Sequence, residues 1–462
     1  MLTNRIAGSL AFLCLVLPFA TAIAQPARSL ESKLKPGAVI YGVVPPLFGK
    51  QPFRAVTQKL DYLRDQGVDV LWLSPINTSD DPSQISYSVT DHFGLRTDFG
   101  SAEDLRGLVR GAHARGMKVM MDIVPNHTSS AHPYHQDIQK NGQASKFYSY
   151  YDRDERGEIT HYFDWETLLN LNYRHGDVKR MMVNAFKYWI QEFGIDGFRV
   201  DAAWGVRERN PEFWPMLSRE LTRIKSDVIL LAEASARDAY YTSNGFDLAY
   251  DWSDRLGEWA WKRAFADPKK ISKRLHQALT SAKTSPHDVA RFLNNNDTGQ
   301  RFISDHGLAK TRVAAVLQHT LPGVPIVYTG DEFGAEFDPY QDPEPLAWQD
   351  TVELRPFYRK LAELREEVPA LHGREFYPAM PKNSGSAYAY FRTGDDGKTV
   401  LVVLNFGSAV DLKVPVSPYV KIATVKEADD LLNQTPTPVS FSKDGKLITL
   451  TMKASSAVIL AL

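Results

Sequence analysis

Two hydrophobic patterns take turns along most of the chain. Short apolar runs rich in β-branched residues are followed by longer segments whose apolar positions recur every three or four residues. "AVIYGVV" (38–44) reads as a strand, and "FRAVTQKLDYLRDQG" (53–67) as an amphipathic helix stopped by Gly67. "VDVLWLS" (68–74) is the next strand. "SAEDLRGLVRGAHARG" (101–116) opens on Ser101 as N-cap, with Asp104 at the capping-box spacing, and ends on Gly116 before the strand "MKVMMDIV" (117–124). Further on the order repeats: helix 177–193, strand 195–200, helix 210–225, strand 228–233, strand 245–251, a helix around 254–280, strand 288–294, helix 307–320, strand 324–330 and helix 353–367.

Strands alternating with helices predict right-handed βαβ units and a parallel sheet. About eight such units suit an α/β fold of the (β/α)8 TIM-barrel type. An open doubly wound sheet would give the same alternation. Residues 128–173, rich in Tyr, His, Ser and Asp and without a clear period, interrupt it after the third strand as an inserted domain B. The barrel is therefore expected over 30–127 and 174–371. From 372 to 462 the pattern changes to strands without helices: "SAYAYFRT" (386–393), "KTVLVVLNF" (398–406), "LKVPV" (412–416) and "KLITLTM" (446–452). "GDDG" (394–397) is a hairpin turn signal. This predicts a C-terminal antiparallel β-sandwich.

The two ends and the charge narrow the function. Arg5 precedes "IAGSLAFLCLVLPFATAIA", which ends in a small-x-small cleavage pattern, so residues 1–24 are expected to be a secretory signal peptide cut after Ala24. That makes the expected location secreted or periplasmic, with no membrane attachment after cleavage. The sole cysteine, Cys14, lies inside this segment, so the mature chain has no thiol for a disulfide, a nucleophile or a metal. Net charge is -1, and removing Arg5 makes it -2. Neither value suits a nucleic-acid partner, which usually meets a basic surface. Aromatic residues make up 11%, compatible with stacking on a neutral ligand or with a large core.

Four polar clusters fall at strand ends, where barrel active sites are built. They are "DIVPNHT" (122–128), "GFRVDAAW" (197–204), "LLAEAS" (230–235) and "FLNNNDT" (292–298). In a barrel these ends converge, so Asp201, Glu233 and Asp297 would face one pocket. Arg199 and Asp201 are two apart and point to one side, so the guanidinium is expected to hold Asp201 ionised, as suits a nucleophile. Glu233 follows the apolar "ILLA", which suits a general acid of raised pKa. Two such carboxylates about 5 Å apart make a retaining glycosidase. Taken singly, Asp201 is as readily a helix N-cap, Glu233 a surface acid and His127 a loop residue.

These segments resemble the four signature regions of the α-amylase family of glycoside hydrolases, and the resemblance covers nearly the whole mature chain. "LDYLRDQGVDVLWLSPI" (60–76), "DFGSAEDLRGLVRGAHARGMKVMMDIVPNHTS" (98–129) and "LPGVPIVYTGDEFG" (321–334) are similar to further stretches of that family. The resemblance implies Asp201 as nucleophile, Glu233 as acid/base, and Asp297 as the acid that grips the ring hydroxyls at the cleavage point. It implies that Arg199 orients Asp201, that His127 donates to a sugar hydroxyl, and that Tyr87 stacks under the same sugar. Asp122 and Asn126 look like supports of the site or of a metal. Asp331 and Glu332 also follow a strand but match a structural loop of the family.

The departures bear on substrate and metal. Asn296 stands where many members have a histidine; an amide still bonds a hydroxyl but carries no charge, so binding is expected to be retuned. Trp204 and Gly205 stand where many members have Lys-His; the lysine contacts substrate and the histidine backbone helps hold calcium. Trp204 would stack on a sugar or belong to the core. In "LLNLN" (168–172) Asn170 replaces an acidic calcium ligand while Asn126 is retained, so the oxygen cluster is incomplete and bound calcium is left open. No organic cofactor is expected. The expected function is hydrolysis of α-1,4-glucans or maltooligosaccharides. Its alternatives are transglycosylation, and α-glucosidase action on short or α-1,6/α-1,1-linked oligosaccharides. A non-catalytic sugar-binding relative would have lost Asp201 or Glu233, and both are present.

Overall fold

The computed structural model describes residues 30–462 apart from 84, 282–287, 339, 342–343 and 374; the expected signal peptide lies outside the described residues. Eight parallel strands close a barrel: β1 (Ile40–Val43), β2 (Val70–Leu73), β3 (Lys118–Ile123), β4 (Gly197–Val200), β5 (Ile229–Ser235), β6 (Leu248–Tyr250), β7 (Val289–Phe292) and β8 (Val324–Tyr328). Ile40 of β1 pairs with both Val70 of β2 and Ile326 of β8, so the sheet has no edge and is not an open doubly wound one. The strand residues are almost all buried, because helices cover the outer face and side chains fill the inside. Trp72, Tyr250 and Tyr328 supply much of that filling, with Trp72 6.3 Å from each of the other rings. Gly42 of β1 makes room for them: a Cβ there would sit 2.5 Å from the Tyr328 ring.

The predicted capping box is present. Ser101 Oγ accepts from the Asp104 backbone N–H at 3.1 Å, and Asp104 Oδ2 accepts from the Ser101 N–H at 2.9 Å, opening the helix Ala102–Ala114. Other expectations need correcting. The helix around 254–280 is helical only over Ile271–Thr280. Pro268 and Gly257, at φ 70°, break the segment before it. Its apolar residues instead pack singly, Trp259 against Phe292 and Phe265 against Phe302. The helix over 210–225 is shorter, Phe213–Thr222, and a separate helix, Ala203–Arg209, precedes it. Asn210 precedes Pro211, which disfavours helical backbone there, and its side chain accepts from Glu212 N–H at 3.1 Å. The helix 53–67 divides at Lys59, and that of 307–320 starts at Phe302 with Gly307 at a kink.

Two excursions from the barrel matter for the site. An antiparallel hairpin, Asn77–Ser79 with Val89–Leu95, follows β2 and was not foreseen. After β3 the inserted segment forms a three-stranded sheet from His127–Ser129, Trp165–Asn170 and His161–Tyr162, with a helix over Pro133–Asn141. Among the described residues the C-terminal part has nine strands in a six-stranded and a three-stranded antiparallel sheet, more than the four read from sequence. Period-two alternation explains how its larger sheet is buried on both faces. Ala389, Phe391, Leu401 and Val403 pack in the sandwich core, while Tyr388, Tyr390, Val402 and Leu404 belong to the barrel's core cluster. Among the described residues no helix is long and apolar enough to cross a membrane.

Candidate active site

The strand ends deliver the acids as the barrel pattern predicts. Asp122 is in β3, Arg199 in β4, Asp201 one residue past it, Glu233 in β5, and Asp297 in the loop after β7. The chain turns sharply after Asp201. Ala202 has φ 43° and ψ 42°, left-handed backbone that a non-glycine residue adopts at a cost of about 1–3 kcal/mol. The turn aims the Ala202 N–H at Glu233 Oε2, 2.6 Å away, and starts the helix Ala203–Arg209.

Arg199 is the hub. Its side chain is wholly buried, and its Nη1 donates to Asp122 Oδ1 at 2.8 Å and Asp201 Oδ1 at 3.0 Å. Nη2 lies 3.1 Å from Glu233 Oε1 and 3.8 Å from Asp297 Oδ2, as ion-pair contacts without good hydrogen-bond direction. Nε donates to the Tyr250 hydroxyl at 3.1 Å. Tyr87 closes the ring: its hydroxyl donates to Asp122 Oδ2 at 3.0 Å and accepts from Arg199 at 3.3 Å. Asp201 Oδ2 is buried and has no donor among the described residues. The three expected acids are thus brought onto one guanidinium.

Four carboxyls share this single cation. Burial is the largest effect on Asp201, and the Glu233 charge adds to it, so the Asp201 pKa is pushed well above the usual carboxylate range. Arg199 pulls it down, as the sequence suggested, but is outweighed. The pKa values of Asp297 and Asp122 are raised too, first by burial; for Asp297 the Glu233 charge follows, although its side chain keeps 34% exposure to the cleft. Such a cluster titrates as a unit and retains a proton toward neutrality. Glu233 itself does not sit in an apolar pocket, since a backbone N–H and the guanidinium meet its oxygens.

The remaining predicted residues take more specific places. Asn296 Nδ2 lies within donating distance of the Tyr87 hydroxyl (3.0 Å), Asp297 Oδ1 (3.1 Å) and the Tyr340 hydroxyl (3.0 Å). Asn295 Oδ1 accepts from the Asp297 N–H at 2.8 Å and Asn294 bridges Phe302 N–H and Asp331, so those two shape the loop. His127 is fully buried. Its Nδ1 accepts from Asn126 at 3.1 Å, which leaves Nε2–H to donate to the Tyr87 carbonyl at 3.2 Å. Burial lowers its pKa to about 3, so the ring is neutral. Its N–H therefore braces the Tyr87 loop here, where donation to a sugar was expected. Trp204 is half-buried, 5.3 Å from the exposed Phe163 ring. Asp331 is held by Arg301 and Asn294, and Glu332 by Tyr41 and Tyr62, so both are structural acids.

Sequence reasoning missed Tyr250, Tyr340 and Tyr162. Tyr340 donates to Asp297 at 3.3 Å, and the Tyr162 ring lies 4.9 Å from His127 with its hydroxyl in the field of the three acids. Only the tyrosine-rich composition of 128–173 hinted at Tyr162. A cavity of about 720 Å³ opens beside Asp297, lined by Trp165, Asn296, Gln300 and Tyr340. Another of about 630 Å³ lies past the ends of β4 and β5, lined by Trp204, Arg207, Ser235, Arg237 and Asp238.

The donor set left for calcium does not fit a hard divalent cation. Such an ion takes six to eight oxygens, with carboxylates prominent. Here both oxygens of Asn126 face Arg209: Nη2 donates to its carbonyl at 3.1 Å and to its side-chain Oδ1. Asn170 Oδ1 accepts from Asn126 Nδ2 at 3.2 Å. Among the described residues no group of three or more His, Cys, Asp or Glu could hold a metal.

Comparison with known proteins agrees with this fold. The family model described as alpha amylase, catalytic domain, matches residues 51–365. The chain is 31% identical over 365 residues to alpha-amylase MalA of Haloarcula japonica, covering 78% of this chain and 53% of that one. It is 29% identical over 380 residues to a cyclomaltodextrinase of a Bacillus species, covering 78% and 66%. The chain thus spans about half to two thirds of the length of these curated relatives. Among solved structures, the maltogenic alpha-amylase AmyB from Thermotoga neapolitana superposes with a TM-score of 0.78 at 21% identity, covering 92% of this chain and 98% of that one. The match shows the shared fold. A closed (β/α)8 barrel with acids gathered at its C-terminal rim is the layout of a barrel enzyme. The chain belongs to the alpha-amylase family of glycoside hydrolases.

The raised proton affinity of Asp201 gives a stability prediction. The resulting penalty is full above the folded pKa, shrinks as pH falls below it, and is gone only below the unfolded carboxyl pKa of about 4. Asp201→Asn is therefore expected to raise Tm at pH 7 by about 2 °C, with the gain shrinking as pH falls toward 4. A lower Tm at pH 7 would mean that the Arg199 ion pair outweighs burial.

Proposed function

We propose that the chain is a retaining α-glucoside hydrolase acting on α-1,4-linked glucans or maltooligosaccharides. One observation supports this most: Asp201 and Glu233 lie against the two outer nitrogens of one guanidinium. Glu233 also accepts from the N–H of the residue next to Asp201. That proximity goes with the spacing of about 5 Å of retaining enzymes, since inverting ones need room for a water between their acids. The named relatives, an alpha-amylase and a cyclomaltodextrinase, support α-glucan as the substrate class.

In this reading Asp201 Oδ2 attacks the anomeric carbon while Glu233 gives a proton to the departing glycosidic oxygen. A glycosyl ester on Asp201 results. Glu233 then takes a proton from water, whose oxygen attacks the same carbon and releases Asp201. Asp297, braced by Tyr340 and Asn296, grips ring hydroxyls as positive charge develops. Tyr87 stacks beneath that ring, and Trp204 stacks on a sugar past the cleavage point. The two cavities accommodate sugar units on either side.

Maltotriose, starch, pullulan and trehalose should separate the alternatives. Hydrolysis of the first two, with an α-anomeric product seen first by NMR, is expected. A β-anomer would overturn retention, and longer products at high maltotriose would identify transfer to a sugar acceptor. Asp201→Asn should lose essentially all turnover; surviving hydrolysis would remove Asp201 as nucleophile.

Asn296 retunes this site because its amide reaches three oxygens without adding charge. The amide brings two N–H donors to these acceptors, whereas a neutral imidazole brings one. Losing bonds to such groups is worth about 1–3 kcal/mol, so Asn296→His should lower kcat/KM on maltotriose by roughly tenfold or more. A value within about twofold of wild type would sink this role.

We propose export on the strength of the run 1–24. N-terminal sequencing of the protein recovered outside the cytoplasm should begin at Gln25, and an intact Met1 would overturn it.

A further inference from the structure

Arg209 ends the helix that begins just after Asp201. It holds Asn126 by both the backbone and the side-chain oxygen, and no acceptor meets its buried Nε among the described residues. Four residues earlier on the same helix face is Gly205. A Cβ at Gly205 would collide with Asn126 Oδ1 and lie 3.7 Å from Arg209 Nη1. Any larger side chain there would push the Asn126 amide off the guanidinium. Asn126 in turn donates to His127 Nδ1 (3.1 Å) and to Asn170 Oδ1 (3.2 Å). Asn170 donates to Thr160 Oγ1 (3.2 Å) and the His161 carbonyl (2.9 Å). One cation therefore ties the end of β3, the inserted segment and the helix after β4.

We propose that Arg209 is a built-in cation that takes over, at this seam, the structural work of a divalent metal, and that it positions His127 through Asn126. The chemistry suits the exchange. A guanidinium presents N–H groups to amide oxygens, and no carboxylate is needed to balance a second charge. Its presence also repels any divalent ion from the same oxygens. Gly205 leaves the space for this contact, and Asn170 meets Asn126 as an amide that brings no negative charge. The seam then has a cation that neither chelation nor dilution removes.

The test uses the full chain, with metal content and thermal unfolding as readouts that do not depend on glucan hydrolysis. Wild type is expected to carry well under one calcium per chain. Its Tm should move by less than about 1 °C between EDTA and millimolar calcium, since a ligand that binds only the folded state would raise it. Arg209→Ala should lose several degrees and raise KM on maltotriose more than it lowers kcat; Arg209→Lys should recover part of both. Arg209→Ala combined with Asn170→Asp restores an oxygen site, so its Tm should rise saturably with calcium. Stoichiometric calcium in wild type, a fall of its Tm in EDTA, a double variant indifferent to calcium, or an Arg209→Ala protein matching wild type would each overturn the proposal. If Arg209→Ala does not fold, the wild-type measurements decide.

Discussion

One buried guanidinium carries the electrostatics of this molecule. Arg199 lies within 3.8 Å of four carboxyl groups from β3, the end of β4, β5 and the loop after β7. Remove that charge and the acids would repel one another, three of them buried and Asp297 open to the cleft. A lysine could not take its place, because a point charge on a flexible stem does not present separate nitrogens to separate partners. The barrel gives the group its rigidity. Trp72, Tyr87 and Tyr250 surround its carbon at 5.5–5.6 Å, favourable for a cation against aromatic faces. Gly42 keeps the aromatic interior beneath from being overfilled.

Beside that centre the molecule uses amides where charge would be costly. Asn296 braces Asp297, Tyr87 and Tyr340; Asn294 and Asn295 set the loop that carries Asp297; Asn126 and Asn170 cross the seam to the inserted segment. An amide both donates and accepts, so it links groups without changing the local charge count. Around four acids and one cation this matters, because each added charge would shift every neighbouring pKa.

The barrel was legible because its strands are buried on both faces and read as short apolar runs bounded by helical-period segments. The acids were legible because barrel topology sends every strand end to one rim, and because Arg199 and Asp201 sit two apart. Other features had no local signature. The stretch 254–270 carries aromatics at near-helical spacing, yet Trp259 and Phe265 meet partners from other elements. Tyr340 reaches Asp297 from 43 residues away, and Arg209 reaches Asn126 from 83 away. Contacts of that kind are set by tertiary closure, which pattern alone does not encode. The sign of the Asp201 shift was misread for a related reason: spacing revealed the neighbouring guanidinium but not how completely the group is buried.

The same burial explains why Asp201, Asp297 and Asp122 have raised proton affinity in a protein whose proposed chemistry needs a charged acid. A retaining cycle requires a single site to hold one proton and one negative charge, and to exchange their owners between two half-reactions. Isolated carboxyls in water would both be ionised at neutral pH. Crowded in this way on one cation, Asp201 above all resists ionisation. Glu233 accepts from the N–H beside Asp201 and lies against the guanidinium that Asp201 also holds, so the two acids of the proposed cycle share one cation. The left-handed turn at Ala202 supplies that N–H, which ties the backbone strain after β4 directly to the geometry of the acids.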